Sequence, residues 1–243
     1  MNQPNRWLQK TDTMNILLIE TATSVCSVAI GIDGRVAAIR EADEPNAHSS
    51  KMNLFIGELM EEAGMKPNQL TAICVSGGPG SYTGLRIGVS GAKGLCFGLK
   101  IPLLAVPTLK NMAAGYYQQH PDYEGMVCPM IDARRMECYT AVYTSSLEEM
   151  KPVSADIIES GIYDSWLNRG QVVFIGDGAA KTEPLLGVHR NALFDAGFRI
   201  SAAAMLPLAE KLLQEGRGED VAYYEPFYLK DFVAKKSIVR GLR

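Results

Sequence analysis

A glycine-rich segment at residues 76–88, Ser-Gly-Gly-Pro-Gly-Ser-Tyr-Thr-Gly-Leu-Arg-Ile-Gly, is the strongest signal for chemistry in the sequence. It lies between a predicted strand and a predicted helix. Glycine lets the backbone adopt positive φ and approach a ligand closely, and a helix N-terminus offers free N–H groups to an anion. The candidate anion contacts in this loop are Gly78, Gly80 and Ser81. A tight strand-to-helix connection that touches no ligand explains the same spacing equally well.

Other catalytic patterns are incomplete in this sequence. The glycine-rich segment is not a Walker loop, because Leu-Arg follows Gly84 where Lys-Ser/Thr is needed. Ser90 is one residue out of register with the Gly-x-Ser-x-Gly elbow and falls inside a predicted helix. The three histidines lie in separate segments without carboxylates at ligand spacing. We therefore predict neither a catalytic residue nor a metal site.

Composition indicates a soluble protein of the cytoplasm. The 243 residues include 24 Lys and Arg against 27 Asp and Glu, a net charge of −3 that argues against a surface made for nucleic acid. Five scattered cysteines without a C-x-x-C pair are typical of a reduced, intracellular protein. No apolar run approaches the roughly eighteen residues that span a bilayer, so we expect no membrane association. Residues 1–13 lack the apolar core of a signal peptide and are predicted to be a disordered extension.

The hydrophobic pattern predicts an α/β fold made of two similar halves. In the first half it predicts strands at 15–19, 25–31, 35–39, 70–75 and 103–106, and helices at 50–63 and 85–99. In the second half it predicts strands at 126–132, 137–143, 172–175 and 227–229, and helices at 157–167 and 203–214. Strand hairpins followed by strand–helix alternation predict a mixed sheet with packed helices in each half. We place the junction near residue 106, which gives subdomains at 14–106 and 107–243.

Several segments of the sequence resemble the TsaB (YeaZ) family. They are the glycine-rich loop, residues 19–28 (IETATSVCSV) and residues 131–137 (IDARRME), while residues 226–230 (PFYLK) are similar to that family's C-terminal Pro-x-Tyr-Leu-Arg. The resemblance is dense over residues 15–111, weak between 143 and 222, and stronger again near the end. Two positions depart from the family pattern, since Glu20 stands where Asp is usual and Lys230 replaces Arg.

The resemblance implies both a fold and a role. The fold is that of the ribonuclease H-like actin, hexokinase and Hsp70 ATPase superfamily, as two tandem subdomains. The implied role is that of a non-catalytic subunit, which binds and organises a TsaD-like catalytic paralogue for threonylcarbamoyl transfer to adenosine 37 of ANN-decoding tRNAs. A TsaE-like ATPase, tRNA held only within the complex, and a second copy of the chain when it is alone are the further partners implied. ATP is used by the complex, and no cofactor is expected on this chain.

The resemblance also indicates chemistry that this chain lacks. The catalytic paralogue carries a metal-binding His-x-x-x-His on the helix after the 103–106 strand, where residues i and i+4 share one face. Thr108 and Met112 occupy those positions here, and neither suits a hard metal ion. ATPases of the superfamily also have a glycine in the first turn to admit phosphate, whereas this chain has Ala22. The remaining candidates for a weak nucleotide contact are Thr21, Thr23, Gly176 and Gly178.

The partner interface is assigned to the first two helices, as the resembling family implies. Gly84, Gly88 and Gly91 recur at i, i+4 and i+7 and form one smooth face. The four glycines between residues 85 and 99 cost about 2–4 kcal/mol relative to alanine, so close packing should offset them. Packing of this face on the chain's own sheet explains the pattern equally well. From the first helix we assign to the interface Lys51, Met52, Phe55, Ile56, Leu59 and Met60.

A stand-alone small-molecule kinase or ATPase of the same superfamily is the alternative. It needs a catalytic carboxylate in the second half, for which Asp132 is the candidate. Residues 132–134 are better interpreted as a hairpin turn capped by that aspartate. The basic tail that starts at Lys230 is interpreted as a solubilising end rather than a tRNA contact.

Overall fold

Two groups of strands, each led by a hairpin, follow one another in the computed structural model, which describes residues 13–230. All but Thr13 of the predicted N-terminal extension, and the tail beyond Lys230, lie outside this range. The first group comprises β1 (Asn15–Glu20), β2 (Cys26–Ile32), β3 (Arg35–Ala42), α1 (Ala47–Glu62), β4 (Ala72–Ser76), α2 (Tyr82–Leu99) and β5 (Leu103–Val106). The second comprises α3 (Thr108–Gln119), β6 (Met126–Asp132), β7 (Glu137–Tyr143), β8 (Glu149–Ile157), α4 (Asp164–Leu167), β9 (Val172–Ile175), α5 (Ala179–Leu186), β10 (Ala192–Asp195) and α6 (Leu206–Gln214).

The two sheets have the same topology. Their strand orders are β3-β2-β1-β4-β5 and β10-β9-β6-β7-β8, which match when the second is read in reverse. In each sheet the first strand pairs antiparallel with the second and parallel with the fourth, as β1 does with β2 and β4 and as β6 does with β7 and β9. This repeated mixed sheet confirms the predicted α/β fold of two tandem subdomains.

Strand β1 shows why the first sheet is covered on both faces. Its side chains alternate between the two faces, as strand geometry requires. Leu17 and Ile19 pack into the core under α1 and α2. Ile16 and Leu18 pack instead into a core that contains Leu206 of α6. Burial on both faces accounts for the continuous apolar run at residues 16–19 of this strand.

The chain crosses back to the first subdomain before it ends. After β10 it passes through residues 196–201 into a 3₁₀ turn at Ala202–Met205 and then into α6, both of which pack on the first sheet. The junction predicted near residue 106 therefore separates the two sheets, while the last described helix covers the first of them. Helix α3 packs against β6 and the 3₁₀ turn, so it lies where the subdomains meet.

Two sequence predictions for the second subdomain were wrong, and a third was right from Leu206 onward. The helix predicted at 157–167 is largely a strand end and a turn, because β8 pairs with β7 as far as Ile157 and only α4 is helical. The strand predicted at 227–229 is instead a segment without regular secondary structure, outside both sheets. The helix predicted at 203–214 begins as a 3₁₀ turn and becomes α-helical at Leu206. Strands β8 and β10 and helix α5 were not predicted.

Within residues 13–230, no helix is long and apolar enough to cross a membrane. The five cysteines are buried and carry free thiols. Burial raises the pKa of the Cys26 thiol to about 11, with the nearby Glu20 carboxyl adding to the shift. A thiol that stays protonated is a poor nucleophile, so Cys26 serves as a small core residue.

Candidate functional site

The glycine-rich loop, residues 77–84, leads from β4 into the first turn of α2. Hydrogen bonds from its backbone and side chains hold it against neighbouring segments. Ser81 N–H donates to the carbonyl of Ala22 at 2.6 Å, and the Ser81 hydroxyl accepts from Gly84 N–H at 3.2 Å and so caps α2. Gly78 and Thr108 bond reciprocally: Gly78 N–H donates to Thr108 Oγ1 at 3.1 Å, and Thr108 N–H donates to the Gly78 carbonyl at 2.9 Å. The loop is thus held between the first turn and α3.

The glycines of this loop allow close internal packing. A Cβ placed on Gly80 would lie 2.3 Å from the Ala22 carbonyl oxygen, and one on Gly84 would lie 2.1 Å from the carbonyl oxygen of Thr21. One on Gly88 would lie 2.3 Å from Thr21 Oγ1. Loop and helix therefore pack directly on the first turn. Internal packing therefore accounts for glycine at positions 80, 84 and 88.

The second glycine turn is likewise filled from within. A Cβ on Gly176 would lie 2.5 Å from Cε of Met112, and one on Gly178 would lie 2.9 Å from Cys138 Sγ. Both glycines are buried. The two glycines therefore face the interior of the chain, whereas Asp177 between them is exposed to solvent.

A cleft of about 1040 Å³ separates the two subdomains. Its first wall is formed by the turn after β1, the loop before α1 and the glycine-rich loop, and its second wall by the β6–β7 turn and Asp177. Of the seven residues proposed as anion or nucleotide contacts, the cleft is lined by Thr23, Gly80 and Ser81. Thr21 is buried under α2, and Gly78 is covered by the carbonyl of Phe227.

The charges of the cleft do not favour a polyphosphate. Four acidic and two basic side chains line it. Several of the acidic groups already have partners within the chain: Asp43 pairs with Arg199 at 3.5 Å, and Asp132 pairs with Lys181 at 2.5 Å. Lys230, one of the two basic residues, is paired with Glu137. Bringing several negative charges beside this lining without an added cation would be repulsive.

Asp132, the carboxylate required by the kinase alternative, is used in a turn. Its Oδ1 accepts from Arg134 N–H at 2.6 Å, and its own N–H donates to Asp177 Oδ1 at 3.0 Å. Arg134 has φ 70°, as expected in a tight hairpin connection. The interpretation as a hairpin turn is confirmed.

Thr108 and Met112, the two positions predicted to correspond to the paralogue's histidines, are both buried. Thr108 is bonded to Gly78, and Met112 lies in the core of the second subdomain with its methyl group over Gly176. Throughout the part of the chain that the structure describes, no group of three or more His, Cys, Asp or Glu side chains is arranged to hold a metal ion. His48, on the cleft wall, makes a 2.8 Å hydrogen bond from Nε2 to the Thr23 carbonyl.

The proposed partner surface requires a correction. Helices α1 and α2 do lie side by side, but four of the residues assigned to the interface are core residues of the chain itself: Met52, Phe55, Leu59 and Met60. The apolar stripe of α1 packs on the first sheet, as an amphipathic helix must. Gly84 and Gly88 are also buried. Among the residues assigned to the interface, Lys51, Ile56 and Gly91 keep partial exposure.

The outward sides of the same helices carry residues that sequence reasoning missed. Phe97 of α2 is 81% exposed, and Leu54 of α1 is 56% exposed. Gly94 and Gly98, on either side of Phe97 in the chain, have no atom within 4 Å of where a Cβ would stand. Helical spacing could have identified Phe97 from the sequence. It directly follows Cys96, which is buried, and consecutive residues of a helix lie on different sides of it. We call Leu54, Phe97, Gly94 and Gly98 the outer α1/α2 face.

Comparison with known proteins defines first the class and then the family. A family model described as TsaD, tRNA N6-adenosine threonylcarbamoyltransferase, matches residues 43–163. The solved structure of YeaZ from Pseudomonas aeruginosa superposes with a TM-score of 0.78 at 27% identity, covering 89% of this chain and 100% of that one. The tandem sheets therefore form the ribonuclease H-like fold of the actin, hexokinase and Hsp70 ATPase superfamily.

Two curated relatives give the family. The tRNA threonylcarbamoyladenosine biosynthesis protein TsaB of Escherichia coli (strain K12) is 33% identical over 234 residues, which is 93% of this chain and 98% of that protein. The protein of the same description from Bacillus subtilis (strain 168) is 30% identical over 225 residues, which is 89% of this chain and 94% of that protein. The chain belongs to the TsaB (YeaZ) family.

Proposed function

We propose that this chain is a non-catalytic subunit that binds a TsaD-like catalytic paralogue and organises it for threonylcarbamoyl transfer to adenosine 37 of ANN-decoding tRNAs, in the cytoplasm. Family membership supports the pathway, because the curated relatives are described as tRNA threonylcarbamoyladenosine biosynthesis proteins. The match of residues 43–163 to the transferase model supports kinship with that paralogue. A TsaE-like ATPase would join through the complex, and tRNA would be held only there.

The outer α1/α2 face is the observation that carries the proposal. Phe97 leaves 81% of its surface exposed, and covering such a ring with a partner would stabilise a complex. The neighbouring Gly94 and Gly98 leave room for another backbone to approach closely. Aromatic residues also contribute strongly to binding at protein interfaces. The same face would pair two copies of the chain when the paralogue is absent.

A non-catalytic role is supported by the residues at the positions that catalysis would use, because they are bonded or packed within the chain itself. Asp132 caps a turn and pairs with Lys181, Thr108 bonds to the glycine-rich loop, and the Ala22 side chain closes the first turn against Gly80. A nucleotide that entered the cleft would meet four acidic side chains and two basic ones. Activation of the threonylcarbamoyl group would then belong to other components of the complex.

Reconstitution of the transfer reaction tests this proposal. The mixture contains the paralogue, an enzyme that forms threonylcarbamoyl-adenylate, threonine, bicarbonate, ATP and tRNA, with and without this chain. We expect modified adenosine to accumulate only slowly when the chain is omitted, and full yield without it would contradict the proposal. Steady ATP hydrolysis by the chain alone, abolished by Asp132→Ala, would support the kinase alternative instead.

A further inference from the structure

Glu20 is a fully buried carboxyl group at the end of β1, where the first turn begins. Its Oε1 accepts a hydrogen bond from Ala22 N–H at 2.7 Å. Its Oε2 accepts from the Ser76 hydroxyl, at the point where β4 meets the glycine-rich loop, and from Asn111 Nδ2 at 2.9 Å. One carboxyl group therefore joins β1, β4 and α3.

Asn111 extends this cluster to both connections between the subdomains. The chain crosses first through α3 and again through residues 196–201. Asn111 lies on α3, and its amide also donates to the Ser201 carbonyl, at 3.2 Å, at the end of the second crossing. Ser27 adds a bond there, since its hydroxyl accepts from Ala202 N–H at 2.9 Å. The two crossings are thus bonded to each other and to the end of β1.

The amide orientation of Asn111 is defined by these bonds. Its nitrogen donates to both Glu20 and Ser201, whereas its buried Oδ1 has no hydrogen-bond partner within residues 13–230. Turning the amide over would place an oxygen against two acceptors and lose both bonds. A flipped amide would lose the bonds to Glu20 and Ser201 and oppose oxygen to oxygen, so the cluster favours the observed arrangement.

We infer that Glu20, acting through Asn111, is the positioning residue that fixes both crossings and thereby sets the width of the cleft between the subdomains. The walls of the cleft belong to different subdomains, and the crossings are the two chain segments that join them within residues 13–230. Ser76 and Ala22 fix the carboxyl group to the first subdomain, so Glu20 gives Asn111 a rigid reference. The inference concerns this chain alone and holds whichever partner the chain binds.

The length of the side chain is the specific feature of this arrangement. An aspartate at position 20 would be shorter by one carbon–carbon bond, about 1.5 Å. From the same backbone position, its carboxylate cannot keep bonds of 2.7 Å to Ala22 N–H and 2.9 Å to Asn111 Nδ2 at once. Glu20→Asp therefore keeps the carboxyl group and shortens its reach, while Asn111→Ala removes the link from the other side.

Distance measurement between spin labels tests the inference. The five native cysteines are buried, so labels can be directed to cysteines introduced at the exposed Asn68 in the first subdomain and Glu183 in the second. Asp156→Asn is the matched control. Asp156 is a largely buried carboxylate bonded to Tyr163 at 2.7 Å and to Lys151 at 2.9 Å, but its network lies wholly inside the second subdomain.

We expect one narrow distance distribution for the full chain and for Asp156→Asn, and a broader distribution with a longer mean distance for Glu20→Asp and Asn111→Ala. Unchanged distributions in the last two variants would overturn the inference, as would equal broadening in the control. If Glu20→Asp does not fold, as judged by circular dichroism, Asn111→Ala decides. If neither folds, the cluster is a folding element of the first subdomain and the inference is wrong.

Discussion

The two halves of α2 use the same residue type for opposite purposes. In the first half, Gly84 and Gly88 press against Thr21, and any side chain there would collide with the first turn. In the second half, Gly94 and Gly98 face open space beside the exposed Phe97. Internal packing offsets the helix-propensity cost of the first pair, whereas nothing inside the chain offsets that of the second. The difference supports the proposal that a partner covers the second half of the helix.

The largest effect is expected from Gly88→Leu. The first carbon of the new side chain would stand 2.3 Å from Thr21 Oγ1, so the helix must move away from the first turn. Overpacking of this kind should lower the free energy of unfolding by about 3 kcal/mol. Urea denaturation followed by circular dichroism measures it. A variant as stable as the wild type would show that the inner half of α2 is not tightly packed.

Phe97→Asp should weaken the complex with the TsaD-like paralogue while the chain stays folded. Loss of a central aromatic contact costs about 2 kcal/mol, or roughly a 30-fold increase in Kd. Val188→Asp is the matched control, because Val188 is equally exposed, at 81%, but lies in the second subdomain. Isothermal titration calorimetry gives both values. An equal loss in the two variants would show that the effect is one of general charge rather than of this face.

Gly94→Ala should stabilise the isolated chain by up to about 1 kcal/mol, because alanine favours a helix interior and meets no atom there. Comparing the thermal unfolding of Gly94→Ala with that of Gly88→Ala distinguishes the outer half of α2 from the inner half. The first change should raise the melting temperature and the second should lower it. Destabilisation by Gly94→Ala would mean that the outer side of α2 packs against another part of the chain.

A smaller, pH-dependent effect is expected at Glu20. Desolvation raises the pKa of its carboxyl group above 4.5 in the folded chain, despite the hydrogen bonds from Ser76, Ala22 and Asn111. The neutral form therefore favours folding: this contribution is complete below about pH 4.5 and is lost as the pH rises through the folded pKa. The stability of the wild type relative to Glu20→Gln should fall as the pH increases. A relative stability that instead grows with pH would show that the bonded carboxylate is ionised and preferred.

The repeated architecture could be predicted from the sequence more reliably than the residues exposed on the surface. Alternating strands and helices predicted both mixed sheets, since local periodicity determines strands such as β6 and β7. Strand β8 was missed because its residues are mostly half-buried at a sheet edge and lack a clear alternation. The return of α6 to the first sheet depends on contacts between distant residues, which no local pattern records.

The prediction that four residues of α1 are available to a partner was wrong for a related reason. The apolar stripe of α1 is clear in the sequence, but periodicity shows only that a face is covered and not by what. Met52 and Phe55 are covered by the chain's own sheet. The glycines of α2 carry the same ambiguity, and only the positions of Thr21 and Phe97 separate the inner pair from the outer pair.

Binding of the paralogue by the wild type and by Gly94→Leu tests the central claim most directly. The new side chain enters open space, so circular dichroism and thermal unfolding should report a chain at least as stable as the wild type. Calorimetric titration should nevertheless show that the paralogue binds the wild type and binds the variant at least tenfold more weakly, about 1.4 kcal/mol, because leucine keeps the second backbone away. Equal affinity for both chains would contradict the proposal that the outer α1/α2 face is where the paralogue is organised.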